Sequence, residues 1–560
     1  MKDRRRKTES HAGLDDEIRE ILEGPGPAEK DPDGPSVFPG LAGAGIGTDP
    51  SGPPREEQRV PQEEGRPARS ETPKDMPKEG RERPQRPVQR RSKGPYLFIS
   101  CVTILLFLTL IAHLVYFNIR LKDDIINSPY NRRQDTLSEF VVRGAIKSSD
   151  GSTLAYTETD DDGTEYRVYP YGREFAHTVG YMTHGKGGIE LFANYELLSS
   201  HSNIIDQVIN DFKRRKNRGD SFVTTLHAGL QDACYSILGD YQGAIIAIEP
   251  KTGAIRAMVS KPDFDPNTLA YDWDEMVSDP SNSQLVNRAA QGLYAPGSTF
   301  KILTSLAWYQ RYGSFDKFSF KCTGEFTVGE ITVHCYEHTA HGEEDLPAAF
   351  IHSCNTAFSQ LGLDLKAKAL TNVTKRLMFG EALPFDLPSK RSRWSLTGAS
   401  TDEELVQTAF GQGKTLVTPY HMALITCAIA NRGVLMKPHL TDHIENAAGT
   451  RISSYKPSVY RTLLSTAEAE QMTELMQRVV TEGTASGLSD RFYSAAGKTG
   501  SAEYLKSDGT IGTHSWFVGF SDTEDPDLVV VVLAENGGAG SSTAVPMAGR
   551  VFDTWYSYTS

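Results

Sequence analysis

Cysteine is scarce in this chain, with six in 560 residues, too few to frame the fold with disulfides. Positive charge is not in excess either: the net charge of −13 argues against a nucleic-acid partner. Aromatic residues are few in residues 1–94, which are instead rich in Pro, Gly, Glu and Arg. Such a segment cannot bury enough apolar surface to offset its ordering entropy, so it reads as a disordered tail. Its one amphipathic patch, residues 14–22, reads as a transient helix. Internal repeats are absent.

Long hydrophobic runs are absent too, with one exception. Residues 96–117 are almost wholly apolar, broken by Ser100, Cys101, Thr103, Thr109 and His113. About 20 such residues span a bilayer, so 95–118 reads as a single transmembrane helix. It lies too deep in the chain for an ordinary cleaved signal peptide. Arg81, Arg83, Arg86, Arg90, Arg91 and Lys93 precede it, whereas Arg120 and Lys122 beyond it are offset by Asp123 and Asp124. The positive-inside rule therefore places the tail in the cytoplasm and everything after the span outside.

Among the cysteines, Cys101 lies in the span, and Cys234, Cys354 and Cys427 each read as a lone buried thiol. Cys322 and Cys335 flank the strand-like stretch 325–333. Outside the membrane they are candidates for a disulfide; two free thiols are the alternative. A zinc site with His334, His338 and His341 is the third reading, but the spacing fits no standard zinc motif, so no metal is expected.

Residues 119–219 are polar, with short strand-like runs between Asp/Gly turns, and read as a small elongated pedestal. From residue 220 to 560 the texture changes. A strand at 221–226, a helix at 227–238 and a hairpin across Pro250-Lys251-Thr252-Gly253 come first. Helical runs fill the middle, and three strand-like runs close the chain at 495–504, 514–520 and 528–535. That order predicts an α+β fold, an antiparallel sheet with inserted helices.

The chemistry-bearing residues fall in a fixed order. Ser298 and Lys301 lie three apart at the start of an apolar, helix-like run after Pro296-Gly297, so a hydroxyl and an amine share one face. Ser-x-x-Lys also occurs at Ser314/Lys317 and Ser453/Lys456, and the pattern needs partners. They follow downstream: Ser353-Cys354-Asn355 before a helical run, the one Ser-x-Asn in the chain, and Lys498-Thr499-Gly500-Ser501 on a strand. The earlier Lys-Thr-Gly at Lys251 sits on a Pro-initiated turn and reads as hairpin chemistry. Taken singly, Ser298 and Ser353 are helix N-caps, Lys498 is a surface lysine and Gly500 a bulge. Taken together they are not.

Ser-x-x-Lys, Ser-x-Asn and Lys-Thr-Gly followed by a hydroxyl resemble the signature of penicillin-binding proteins and serine β-lactamases. Arg143-Gly144, Gly187-Gly188-Ile189-Glu190, Phe264-Asp265-Pro266-Asn267, Gly411-Gln412-Gly413 and Trp516-Phe517-Val518-Gly519 further resemble landmarks of class B penicillin-binding proteins. The resemblance implies a penicillin-binding, β-lactamase-like transpeptidase domain behind the pedestal, acting without a cofactor as a peptidoglycan D,D-transpeptidase. Ser298 would be the nucleophile and Lys301 its base, kept neutral by burial and by Lys498 as a second cation, with Ser353 bridging the amines as a proton relay. Asn355, Thr499, Gly500 and Ser501 would bind the D-Ala-D-Ala end of a stem pentapeptide. β-Lactams would acylate the same serine. A polytopic membrane glycan polymerase would be the partner. Three rivals stand beside this reading: a membrane-anchored β-lactamase, a β-lactam sensor and a non-catalytic cell-wall scaffold. Ser501 replaces the family's usual threonine, keeping the hydroxyl and losing the methyl.

Overall fold

The structure, a computed structural model, describes residues 93–117, 137–506 and 509–559. The expectations for the tail and for Arg120 to Asp124 lie outside the described residues. The chain divides into two units, Met1–Leu114 and Val115–Ser560. In the first, helix α1 (Gly94–Tyr116) is 23 residues long and holds no Asp, Glu, Lys or Arg. Thr103 and Thr109 donate their hydroxyls to the carbonyls four residues back, each at 2.9 Å, which satisfies them within the helix as an apolar surrounding requires. Among the described residues it is the one helix long and apolar enough to cross a membrane.

In the second unit, the early strands are β1 (Ile146–Lys147), β2 (Thr153–Thr159), β3 (Glu165–Val168) and β4 (Ser221–Thr224). Helix α2 (Ala228–Leu238) and the hairpin β5 (Gly243–Ile248) and β6 (Ile255–Lys261) come next. Helices α3 (Lys301–Tyr312), α4 (Asn355–Arg376) and α5 (Pro419–Ala430) fill the middle. Strands β7 (Thr441–Glu445) and β8 (Arg451–Ser454) precede α6 (Thr466–Thr481). The chain ends with β9 (Ala495–Leu505), β10 (Ile511–Ser521), β11 (Leu528–Ala534) and α7 (Ala544–Thr559).

Two sheets organise these elements. The first has five strands in the order β9-β10-β11-β5-β6 and is antiparallel throughout, as the sequence order predicts. Every residue of β5 and β11 is buried, so both faces of the sheet are covered. Helices α2 and α7 pack on each other and on the sheet, and α5 packs against β5 and β11. All of α5 is buried, in keeping with a sequence apolar on every side. Its start is set by Pro419 and by Thr418, whose side chain accepts from His421 N.

The second sheet has the order β8-β7-β4-β1-β2-β3. It joins pedestal strands to two strands from deep within the 220–560 segment, so one sheet runs across the boundary expected at residue 219. The pedestal is held internally by a buried ion cluster. Glu190, wholly buried, accepts from Arg143 Nε and Arg167 Nε, both at 2.7 Å. The Asn267 side chain links the pedestal to the body, accepting from Tyr169 N at 2.9 Å and donating to Tyr169 O at 3.0 Å.

Candidate active site

The approach to α3 is a 3₁₀ turn, Gly297–Phe300. With three residues per turn, Ser298 and Lys301 eclipse one another. Gly297 takes φ +53°, a conformation open to glycine, and its N–H donates to Gly411 O at 2.9 Å. Ser298 remains partly exposed between the buried Gly297 and Thr299, and it lines the cleft. The cap roles the two serines would have had singly are not taken: Pro296 precedes the turn and Cys354, not Ser353, caps α4.

Lys301 is wholly buried. Its Nζ donates to Ser353 O at 2.6 Å, Asn355 Oδ1 at 2.8 Å and Ser353 Oγ at 3.2 Å, three acceptors for an ammonium's three hydrogens. Ser353 sits at φ +56°, rare for a residue with a side chain, and that turn brings its hydroxyl between two amines. The second is Lys498, also wholly buried, whose Nζ donates to Ser353 Oγ at 2.9 Å and Thr499 O at 3.2 Å. Burial pushes Lys301 down to about 8. It pushes Lys498 well below the usual lysine range, and the Lys301 charge adds to that. Burial lowers Lys301, as expected, whereas the effect of the second cation falls on Lys498 rather than on Lys301.

β9 carries Lys498 to Ser501 and is the edge strand of its sheet, paired on one side by β10. A Cβ added at Gly500 would lie 3.0 Å from Thr299 Cγ2 and 3.1 Å from Trp516 Cβ, so glycine there permits close packing against the serine turn. The Thr499 hydroxyl meets that of Thr484 at 2.6 Å, and Ser501 Oγ accepts from Gly540 N at 3.2 Å. Ser298, Ser353, Asn355, Thr499, Gly500 and Ser501 line one cleft of about 980 Å³, with Lys301 and Lys498 beneath it. All eight expected site residues therefore converge. The other Ser-x-x-Lys matches do not: Ser314 bonds Asp316 in the turn after α3, and Ser453 is on exposed β8. Trp516 and Phe517 are core. Thr484 and Gly540 carried no signal in the sequence, since they act through their place in the fold.

The disulfide expectation needs correcting. Cys322 and Cys335 come together but stand as free thiols, with sulfurs 3.7 Å apart. They are not a pair: Cys354, read from sequence as solitary, and His341 complete a group of four. Of the three histidines weighed for a metal, His334 and His338 pack on each other, their ring centroids 4.4 Å apart, and His341 alone joins the thiols. Cys234 and Cys427 are buried singly, as expected.

The penicillin-binding protein transpeptidase domain family matches residues 243–553, more than half of the chain. The chain belongs to this family. The dimerisation domain of penicillin-binding protein A matches residues 143–222, most of the pedestal and the start of β4 just beyond it. The chain is 29% identical over 485 residues to the peptidoglycan D,D-transpeptidase PbpA of Mycolicibacterium smegmatis, covering 80% of this chain and 96% of that protein. It resembles the crystal structure of a D,D-transpeptidase domain from Eggerthella lenta (31% identity, TM-score 0.66, 74% of this chain and 98% of that one). It also resembles the imipenem acyl-enzyme complex of penicillin-binding protein A from M. tuberculosis (29% identity, TM-score 0.68, 75% and 100%). In this penicillin-binding protein the three motifs thus meet at one cleft, bounded by the edge of β9 and the turn that starts α4.

Proposed function

We propose that this penicillin-binding protein is a peptidoglycan D,D-transpeptidase that works through an acyl-enzyme on Ser298. One observation carries the reading: Ser353 Oγ bridges the buried amines of Lys301 and Lys498, at 3.2 and 2.9 Å, beneath the serine turn. A serine needs a base within reach before it can attack a carbonyl. Lys301, one turn away and lowered by burial, takes the Ser298 proton. The route Lys301–Ser353–Lys498 then carries a proton toward the departing amine.

The substrate end is a D-Ala-D-Ala peptide lying along the free edge of β9 as an added strand. Lys498, Thr499 and Ser501 face its terminal carboxylate, Asn355 its amide, and Gly500 admits its backbone. The N–H groups of Ser298 and Ser501 form the oxyanion hole. Attack expels the terminal D-Ala, and an amine of a neighbouring peptide takes the acyl group. No cofactor enters this chemistry. The imipenem acyl-enzyme of penicillin-binding protein A from M. tuberculosis supports β-lactams as inhibitors of the same serine.

The domain reading follows: tail 1–94, span 95–118, pedestal 119–219 and transpeptidase 220–560, with the body outside the cell membrane. The pedestal and span are the surface for a polytopic membrane glycan polymerase. Fluorescent penicillin should label the chain, and Ser298→Ala should abolish the label; labelling that persists moves the nucleophile elsewhere. An adduct that turns over within seconds points instead to a β-lactamase.

A further inference from the structure

Four potential ligands from three separate stretches meet beside the active site. The sulfurs of Cys322, Cys335 and Cys354 and a ring nitrogen of His341 all lie within 4.8 Å of one another. Cys335 Sγ is 3.7 Å from both Cys322 Sγ and Cys354 Sγ, and His341 Nδ1 is 3.3 Å from Cys322 Sγ. Thiolates about 2.3 Å and imidazole nitrogens about 2.0–2.1 Å from a tetrahedral ion stand roughly 3.5–3.8 Å from each other. Those three separations fit that shell or fall just inside it, and the others stay within 4.8 Å.

The surroundings fit as well. The three sulfurs are buried and the histidine is partly so. The Thr356 hydroxyl lies 3.2, 3.5 and 3.3 Å from the sulfurs of Cys322, Cys335 and Cys354, and Ala357 N donates to Cys354 Sγ at 3.4 Å. Donors that converge on sulfur are the outer layer that thiolate ligands need.

We infer that Cys322, Cys335, His341 and Cys354 hold one zinc ion. Three thiolates with one imidazole are a soft set that selects zinc, and a complete set of four protein ligands is that of a structural site. Binding forms three Zn–S bonds and one Zn–N bond, displaces the thiol protons and changes no oxidation state.

The ion sits where it governs the active-site turn. Cys354 lies between Ser353 and Asn355, and Cys335 follows His334, whose carbonyl accepts from Asn355 Nδ2 at 2.9 Å. Zinc therefore pins the 353–355 turn from within and from the segment beside it, and holds Ser353 at its left-handed φ. Metal content is independent of the catalytic reading; the link to acylation rests on it.

The test uses the full chain in detergent, purified without chelators. Elemental analysis should find about one zinc per chain. His341→Ala, a partly exposed position, and Cys322→Ser should each lower that at least about tenfold, and Thr356→Val should weaken affinity about 10–100-fold. Cobalt(II) exchanged into the wild-type chain should give the absorption of tetrahedral thiolate cobalt. A wild-type chain that holds no more zinc than His341→Ala when supplied with the ion overturns the site. So does a Cys322–Cys335 disulfide in the unreduced, zinc-free chain. Stripping the zinc should slow penicillin acylation at least about tenfold, with recovery on re-addition. Acylation indifferent to stripping overturns the link to Ser353, whereas zinc bound with no acylation at all would count against the transpeptidase reading alone.

Discussion

Gly411 packs so closely on Gly297 that a methyl group added to it would lie 1.8 Å from the Gly297 carbonyl oxygen. The same pair is tied by Gly297 N donating to Gly411 O at 2.9 Å. The Gly-Gln-Gly segment, distant from every motif in sequence, thus sets the position of the serine turn.

Gly411→Ala forces that contact apart and strains a backbone at φ +91°. The expected cost is about 2–4 kcal/mol from overpacking and the left-handed conformation together. Thermal unfolding measures it, and penicillin labelling at low temperature should be slowed as well, because Ser298 moves with Gly297.

Lys498→Met keeps the length and volume of the buried side chain but removes the donor to Ser353 Oγ. Acylation should fall by about 10²–10⁴-fold, the range of a lost proton-transfer group, with the melting temperature unchanged or raised. Time-resolved mass spectrometry of the acyl-enzyme reads the rate. A rate within about threefold of wild type would remove Lys498 from the relay.

Acylation should depend on pH through Lys301. Its three hydrogens are all engaged by acceptors, so the charged form has no lone pair to offer. Burial places its loss of a proton at about 8. The rate should therefore rise with pH, about tenfold per unit below that value, and level off above it. A flat profile between pH 6 and about 9 would exclude Lys301 as the base.

Glu190→Gln leaves Arg143 and Arg167 buried against a neutral amide. Breaking such a buried cluster costs about 3–5 kcal/mol. Denaturant unfolding should show the loss, while penicillin acylation of the folded protein should stay within about twofold, because the cluster lies in the pedestal and touches none of the cleft residues.

The site was legible in the sequence because its parts are short motifs whose chemistry is local. Ser298 and Lys301 need one turn between them, and Lys498 to Ser501 need one strand. Their convergence could be expected only through the family resemblance. The Cys354 environment was hidden for the opposite reason: its three partners come from positions 322, 335 and 341, a spacing that matches no compact metal motif. Ser353 taken singly would have been a cap, and its motif partners set that reading aside. Its left-handed φ hands that role to Cys354 and frees the hydroxyl. The fold of the main sheet followed from strand order, but the alternation in Thr441–Glu445 was too short to announce that it leaves the body for the pedestal.

That last sheet has a consequence for how the protein is made. β4 is flanked by β1, close by in the chain, and by β7, which is synthesised more than two hundred residues later. Until β7 arrives, β4 presents an open edge, which invites mispairing. The pedestal of a nascent chain therefore stays unfinished until the serine turn and the 353–355 turn have already emerged. A polypeptide stalled before residue 441 cannot display a completed pedestal surface. The sheet is complete only on chains synthesised past Ser454, after both active-site turns and before the strand that carries Lys498.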